Sequence, residues 1–301
     1  MAIDVTKLSQ YVDETRKELI LNTVLGAKSA SLFNLQTGVK HQAALNLLDT
    51  TIEFGDGSDC GWDAAGTSSL SQRLLTVGQV KINTPFCEKK LLKVWAGQDV
   101  KVAAGTANLP FEQEFIKGVV DGVKQENEIA IWQGDTDSSL ANLNKYDGLI
   151  KVITDSSVFI KPSETPATSV KACIDSVYTS IPVKVLRKAS VCMGEDAFRT
   201  YVLALASANL YNYKPEVGAE MELVIPGTST KVYGLAGLNG TKTVIAGVLN
   251  ENIFYGVDME GDDEKFDMWY SKDNQEFRLV INFAAGVQVA HPDEIVMYTY
   301  A

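Results

Sequence analysis

Phe111-Glu112-Gln113-Glu114-Phe115-Ile116-Lys117-Gly118-Val119-Val120-Asp121-Gly122-Val123-Lys124, continuing through Glu126-Asn127-Glu128-Ile129-Ala130-Ile131-Trp132-Gln133 to Gly134, is the most strongly periodic stretch of the chain. Phe111, Phe115 and Val119, with Ile116, Val120 and Val123 beside them, form one apolar stripe. Ile129, Ala130, Ile131 and Trp132 complete it, and charged residues fill the opposite side, the signature of an amphipathic helix. Asn108 is placed to cap the start, Pro110 fits the first turn, and Gly134 supplies the stop. At 1.5 Å per residue such a helix is about 35 Å long, the width of a small domain. Gly118 and Gly122 each cost roughly 1 kcal/mol relative to Ala, so close packing against their face is expected.

Upstream, Asp4 to about Leu25 predicts a second amphipathic helix carried by Leu8, Tyr11, Val12, Leu19 and Ile20, with Gly26 as its stop. The stretch from Ser29 to Asp49 has no clear period. Residues 50 to 96 read as β, with Thr51-Ile52-Glu53-Phe54, Val80-Lys81-Ile82-Asn83 and Leu91-Leu92-Lys93-Val94-Trp95 as strands. Gly55 to Ser69 has loop composition, and structureless loops of that length are usually functional or mobile.

Downstream, Asp147-Gly148-Leu149-Ile150 reads as a turn entering a strand. Thr165-Pro166 opens a helix carrying Val170, Ile174, Val177 and Ile181, closed by Pro182. Ala189 to Met193 reads as a buried strand, Gly194 to Tyr211 as a helix, and Met221–Ile225, Lys231–Tyr233, Thr243–Val248 and Asn252–Val257 as strands. Phe266, Met268 and Tyr270 alternate, as do Phe277, Leu279, Ile281 and Phe283, before Ile295 to Tyr300 closes the chain. Helices and strands intermixed in this way predict a mixed α and β architecture.

The 301 residues carry 27 basic and 38 acidic side chains, a net charge of -11, which argues against phosphate recognition as the main task. Cys60, Cys87, Cys173 and Cys192 form no CxxC pair, so a reducing compartment is the default. Residues 1 to 20 lack an apolar signal core, and no run reaches the ~18 apolar residues of a membrane helix. His41 and His291 stand 250 positions apart, and Gly66-Thr67-Ser68-Ser69-Leu70 lacks the second Gly of a nucleophile elbow. Gly234, Gly237 and Gly240 do not match a nucleotide loop. Neither Asp258-to-Glu264 nor Asp135-Thr136-Asp137 places Gly and Glu where a calcium loop needs them. No catalytic residue, cofactor or metal is expected. What remains is an arm and an extended loop that cannot bury their apolar residues alone, since an isolated hairpin is marginal in water.

The order of arm, extended loop, long helix and α/β body resembles the major capsid proteins of tailed bacteriophages, the Hong Kong 97-type fold. Glu126 to Gly134 followed by Asp147-Gly148-Leu149-Ile150 is similar to the end of that family's spine helix and the turn entering its axial domain. Val244 to Val248 leading to Asn252-Ile253-Phe254-Tyr255, and Phe277 to Val287 with His291-Pro292, are similar to its buried and peripheral strands. The resemblance implies an α+β chain with an N-terminal arm (1–49), an extended β-hairpin loop (50–96), a peripheral domain with the spine helix (97–147) and its strands (258–283), and a mixed α/β axial domain (148–257, returning at 284–301). It implies self-assembly into hexamers and pentamers, an icosahedral shell around double-stranded DNA in the virion, assembly in the host cytoplasm, and scaffolding, portal and decoration proteins as partners. Inter-subunit contacts are then expected at Leu8, Tyr11, Val12, Phe54, Trp62, Val80 and Ile82. The loop tip 55–69 contains no Lys, so no Lys–Asn cross-link is expected from it, and the short arm implies a separate scaffold or a processed precursor. An encapsulin-type compartment, a soluble α/β enzyme and a tail or decoration component are the alternatives.

Overall fold

A computed structural model describes residues 18–19, 21–54, 66–86, 111–162, 169–208, 221–258, 265–274 and 276–300. The expected features at Leu8, Tyr11, Val12, Trp62, Leu91–Trp95, Asn108, Pro110 and Thr165-Pro166 lie outside those residues.

The long helix is present as α2 (Phe111–Gln133), ending at Gly134. Ile116, Val120, Ile131 and Trp132 are buried on one side of it. That side covers a five-stranded sheet made of β1 (Asn34–Thr37), β4 (Gly78–Phe86), β9 (Ile253–Val257), β10 (Lys265–Ser271) and β11 (Glu276–Val289). β11 is the central strand, antiparallel to β10, β4 and β9, while β1 runs parallel to β9. Phe277, Leu279, Ile281 and Phe283 point into the core, and Arg278, Val280 and Asn282 alternate to the half-exposed face. Tyr270 and Phe277 sit directly opposite across β10 and β11 with an edge-on ring contact at 5.3 Å. β11 runs unbroken through position 283, so the expected boundary there falls inside a strand.

A second five-stranded sheet has the order β12 (Val296–Thr299), β8 (Thr243–Gly247), β5 (Ser190–Gly194), β7 (Lys231–Leu235), β6 (Glu222–Val224). Val191 and Met193 of β5 face α4 (Val170–Ser180) and α5 (Glu195–Ser207), while Cys192 between them faces the core beneath α2. Val244 and Ala246 against Ile245, and Val296 against Met297, divide in the same way. Burial on both faces is why these strands read as continuous apolar runs rather than as alternating ones. Ser169 caps α4 by accepting from Ala172 N at 3.3 Å. α5 is capped from elsewhere in the chain, with Asn239 Oδ1 accepting from Glu195 N at 2.7 Å.

Several expectations are corrected. Leu149-Ile150 opens a helix, α3 (Leu149–Ser156), not a strand. Leu149 and Ile153, four apart, are buried, and α3 packs on α2 and β11. Packing at that spacing overrides the strand preference of its β-branched residues. Gly118 and Gly122 are not close-packed against any described residue: among these, a methyl group on either would meet nothing within 4 Å. Thr51-Ile52-Glu53-Phe54 is not a strand of its own. Thr51 ends the longer β2 (Gln42–Thr51), and Ile52, Glu53 and Phe54 lie beyond it. The partner of β2 is β3 (Thr67–Thr76), so Thr67, Ser68 and Ser69, read as loop, belong to a strand. Val80 to Asn83 are in a strand, but β4 joins the body's sheet rather than the hairpin. Ser29 to Asp49 holds a short helix, α1 (Lys28–Leu32), then β1 and most of β2.

The chain before α1 is helical at residues 18–19 and 21–25 and lies on α2. Asn127 Nδ2 donates to Val24 O at 3.4 Å, and the Tyr255 hydroxyl donates to the same carbonyl at 3.3 Å. Gly26 permits this approach: a Cβ there would fall 2.2 Å from Asn22 O and 2.4 Å from the Lys124 chain. Gly26→Ala is expected to cost about 1–3 kcal/mol through that overlap, read as a lower denaturation midpoint at unchanged m-value.

Candidate assembly interface

β2 and β3 pair from Gln42↔Thr76 to Thr51↔Thr67 as a two-stranded sheet separate from the other two. Strand alternation gives it two faces. One carries Ala43, Leu45 and Leu75, and closes at its base into a small core with Val39, Val77 and Ala284. Gln288 Nε2 donates to Leu74 O at 2.7 Å, Arg73 Nη1 donates to Val289 O at 3.4 Å, and Val77 N donates to His41 O at 3.0 Å. The first two bonds pin the hairpin's root to the end of β11, and the third closes the root itself.

The other face carries Ala44, Leu48 and Leu74 with Leu70, and Ile52 continues its parity. Leu48 and Leu70 are directly opposite and 68% and 76% exposed, and Phe54 beyond them is 100% exposed. Among the described residues nothing covers this cluster of large apolar side chains, which makes it the candidate interaction surface. Among the described residues, Phe54 is the expected contact residue that follows β2. Val80 and Ile82 are half-buried on β4 and pack against the chain's own core. With Val119, Val123 and Phe283 they line a groove of about 480 Å³ between α2 and the sheet. Leu48, Leu70 and Leu74 escaped the sequence reading because their strands carry leucines on both faces, which hides the period of two.

Charged and nucleophilic groups make no catalytic arrangement among the described residues. Cys173 and Cys192 are buried and their thiols are pushed up by burial, Cys173 to about 12, so neither forms thiolate near neutrality. No group of three or more His, Cys, Asp or Glu is placed to hold a metal among the described residues. The Asp135-Thr136-Asp137 loop surrounds an ammonium instead: Lys151 Nζ lies 2.5 Å from Asp135, 2.7 Å from Asp137 and 3.0 Å from Asp147. The Lys151 bond, then the Asp137 backbone N–H, holds the Asp135 carboxyl below its usual value. Partial burial pushes Asp147 up, but donors on Thr136 and Lys151 outweigh it and its carboxyl also sits low. The cluster ties the turn after α2 to α3. Lys151→Met leaves three carboxylates facing one another, so its melting temperature is expected to drop and the drop to shrink in high salt, measured by calorimetry at two ionic strengths.

The architecture recurs in particles. The subunit fold of the satellite phage P4 procapsid, in a structure that includes the size determination (Sid) protein, matches with a TM-score of 0.61 at 9% identity, covering 97% of this chain and 95% of that one. The capsid of Ralstonia phage GP4 matches at 0.57 with 9% identity, covering 90% and 87%. A virus-like particle from Pyrococcus furiosus matches at 0.53 with 8% identity, covering 94% and 97%. No protein-family model and no curated protein matches the sequence. Over nearly its full length the chain therefore has the fold of tailed-phage major capsid proteins.

Proposed function

We propose that this chain is a major capsid protein that assembles into hexamers and pentamers and closes an icosahedral shell around double-stranded DNA in a phage virion. The observation that carries the proposal is the match of the whole chain to capsid subunits, from one end of the fold to the other. The hairpin adds physical support, because among the described residues nothing covers its outer leucines, and a neighbouring subunit would take them out of water. Each buried Leu contributes about 1.5–3 kcal/mol, so such contacts summed around a ring favour closed assemblies. In this reading the arm, the hairpin, the α2 sheet and the β5 sheet serve as arm, extension loop, peripheral domain and axial domain. Assembly would take place in the host cytoplasm, with scaffolding, portal and decoration proteins as further partners. The net charge of -11 suits a wall that does not grip packaged DNA.

Expression of the chain, followed by sizing chromatography and electron microscopy, tests the proposal. Capsomers or closed particles are expected; a stable monomer at high concentration would overturn it. The particle's contents separate the two shell readings: a particle that fills with a host enzyme rather than with nucleic acid, when made alongside the phage's packaging machinery, would point to a cargo compartment.

A further inference from the structure

The connection between β7 and β8 carries the chain's one Asn-Gly pair, Asn239-Gly240. Shape fixes both members. Asn239 Oδ1 caps α5 by accepting from Glu195 N at 2.7 Å and from Asp196 N at 3.4 Å. Gly240 has a φ of 75°, in the left-handed region that glycine enters without strain. The same two residue types make a chemically labile pair, because glycine leaves its own nitrogen unhindered beside the asparagine side chain. Both residues are exposed, so water reaches them.

The folded chain nevertheless holds the reacting groups apart. Gly240 N donates to Asp196 Oδ2 at 3.1 Å, and Asn239 N donates to Ala236 O at 3.1 Å. Gln133 Nε2 donates to Asn239 O at 3.4 Å. Asn239 is extended, with ψ at 135°, which turns the Gly240 nitrogen away from the side-chain carbonyl carbon. A ring can close between them only if the peptide that joins the pair rotates, and that rotation breaks the bond to Asp196.

We propose that Asn239-Gly240 is a deamidation site kept shut by the first turn of α5, and that its isoaspartate product uncaps the helix for good. Once that turn opens, Gly240 N attacks Asn239 Cγ. The new N–Cγ bond forms, the bond from Cγ to Nδ2 breaks, and ammonia leaves with the proton that Gly240 N gave up. Water then opens the resulting succinimide at either carbonyl, giving aspartate or isoaspartate. In isoaspartate the main chain runs through the former side chain, so the cap oxygen is drawn off Glu195 N. Because ammonia has left, refolding does not restore the cap.

Ageing the full-length chain in mildly alkaline buffer, folded and in urea, tests this, with peptide mapping by mass spectrometry following deamidation and isoaspartate at position 239. The urea sample should react, and the folded chain at least about tenfold more slowly, since its reaction waits on local opening. Asp196→Ala frees Gly240 N and should react about fivefold faster than the folded wild type, the worth of one hydrogen bond. Asp196→Asn keeps an acceptor oxygen and should stay slow, which preserves the test if the alanine variant does not fold. In the isoaspartate form, hydrogen exchange at the Glu195 and Asp196 amides should be about fivefold faster than in fresh protein, the loss of one cap. A folded wild type that reacts as fast as the urea sample would overturn the proposal. So would a folded Asp196→Ala no faster than wild type, a folded Asp196→Asn as fast as the urea sample, or exchange left unchanged by isoaspartate.

Discussion

Changing Leu48 and Leu70 together to Asp will yield a folded protein that no longer assembles. Both side chains are mostly exposed, so the body should keep its melting temperature. In the proposed shell the same two positions are covered by a neighbour. The double change there removes about 3–6 kcal/mol of apolar burial and adds several more for enclosing charge without partners. With about 1.4 kcal/mol per tenfold change, the concentration needed for assembly should rise by 10⁴-fold or more. Circular dichroism and sizing chromatography on one sample check both halves. Intact particles from the double variant would show that this face makes no essential contact. Loss of fold would show that the leucines belong to the body.

Trp132→Ala is expected to cause the largest loss of stability, about 3–5 kcal/mol, read by chemical denaturation. Trp132 is fully buried, stacks edge-on against Phe33 at 5.7 Å and donates to Ser29 Oγ. It also meets the turn at Ala236–Leu238, where a Cβ on Gly237 would fall 2.4 Å from the indole ring and 2.2 Å from Glu128 O. One side chain thus joins the segment around α1, the helix α2 and the turn after β7 of the second sheet. Trp132→Phe keeps most of the apolar volume but leaves Ser29 Oγ without its donor, so a smaller loss of about 1–2 kcal/mol is expected. If both variants lose the same amount, the hydrogen bond rather than the packing dominates at this junction.

What could be read without coordinates follows the range of the forces involved. α2 was legible because its stripe is local: Ile116, Val120 and Val123 repeat at helical spacing whatever lies beneath them. β10, β11 and the β5 sheet were legible because their apolar content is continuous or alternates cleanly. The pairing of β2 with β3 was not, since it joins residues on either side of the Gly-rich stretch and both strands carry leucines on two faces. The strand reading at Leu149 failed because Leu-Ile-Lys-Val-Ile suits either period in isolation, and only contact with α2 and β11 decides it. Gly118 and Gly122 pointed in the other direction: two costly residues on a helix suggested a close neighbour, and among the described residues none lies within 4 Å of a methyl group there. Leu48 and Leu70 were not singled out from the sequence, because their exposure follows from the strand pairing. Glu128, buried on α2, gave no signal at all, because a glutamate in a charged-looking helix announces nothing about being enclosed.

β11 has a mechanical consequence. Its first part is bonded along both edges, to β10 and β4, and its last part holds β9 and the hairpin root. A pull on the hairpin directed along these strands would strain the long β4–β11 ladder in shear, with its hydrogen bonds resisting together rather than parting one after another. The rung-like bonds of antiparallel strands lie across such a load, the orientation in which a ladder yields last. Tension borne by a wall of these subunits would then be carried by its most thoroughly braced strand.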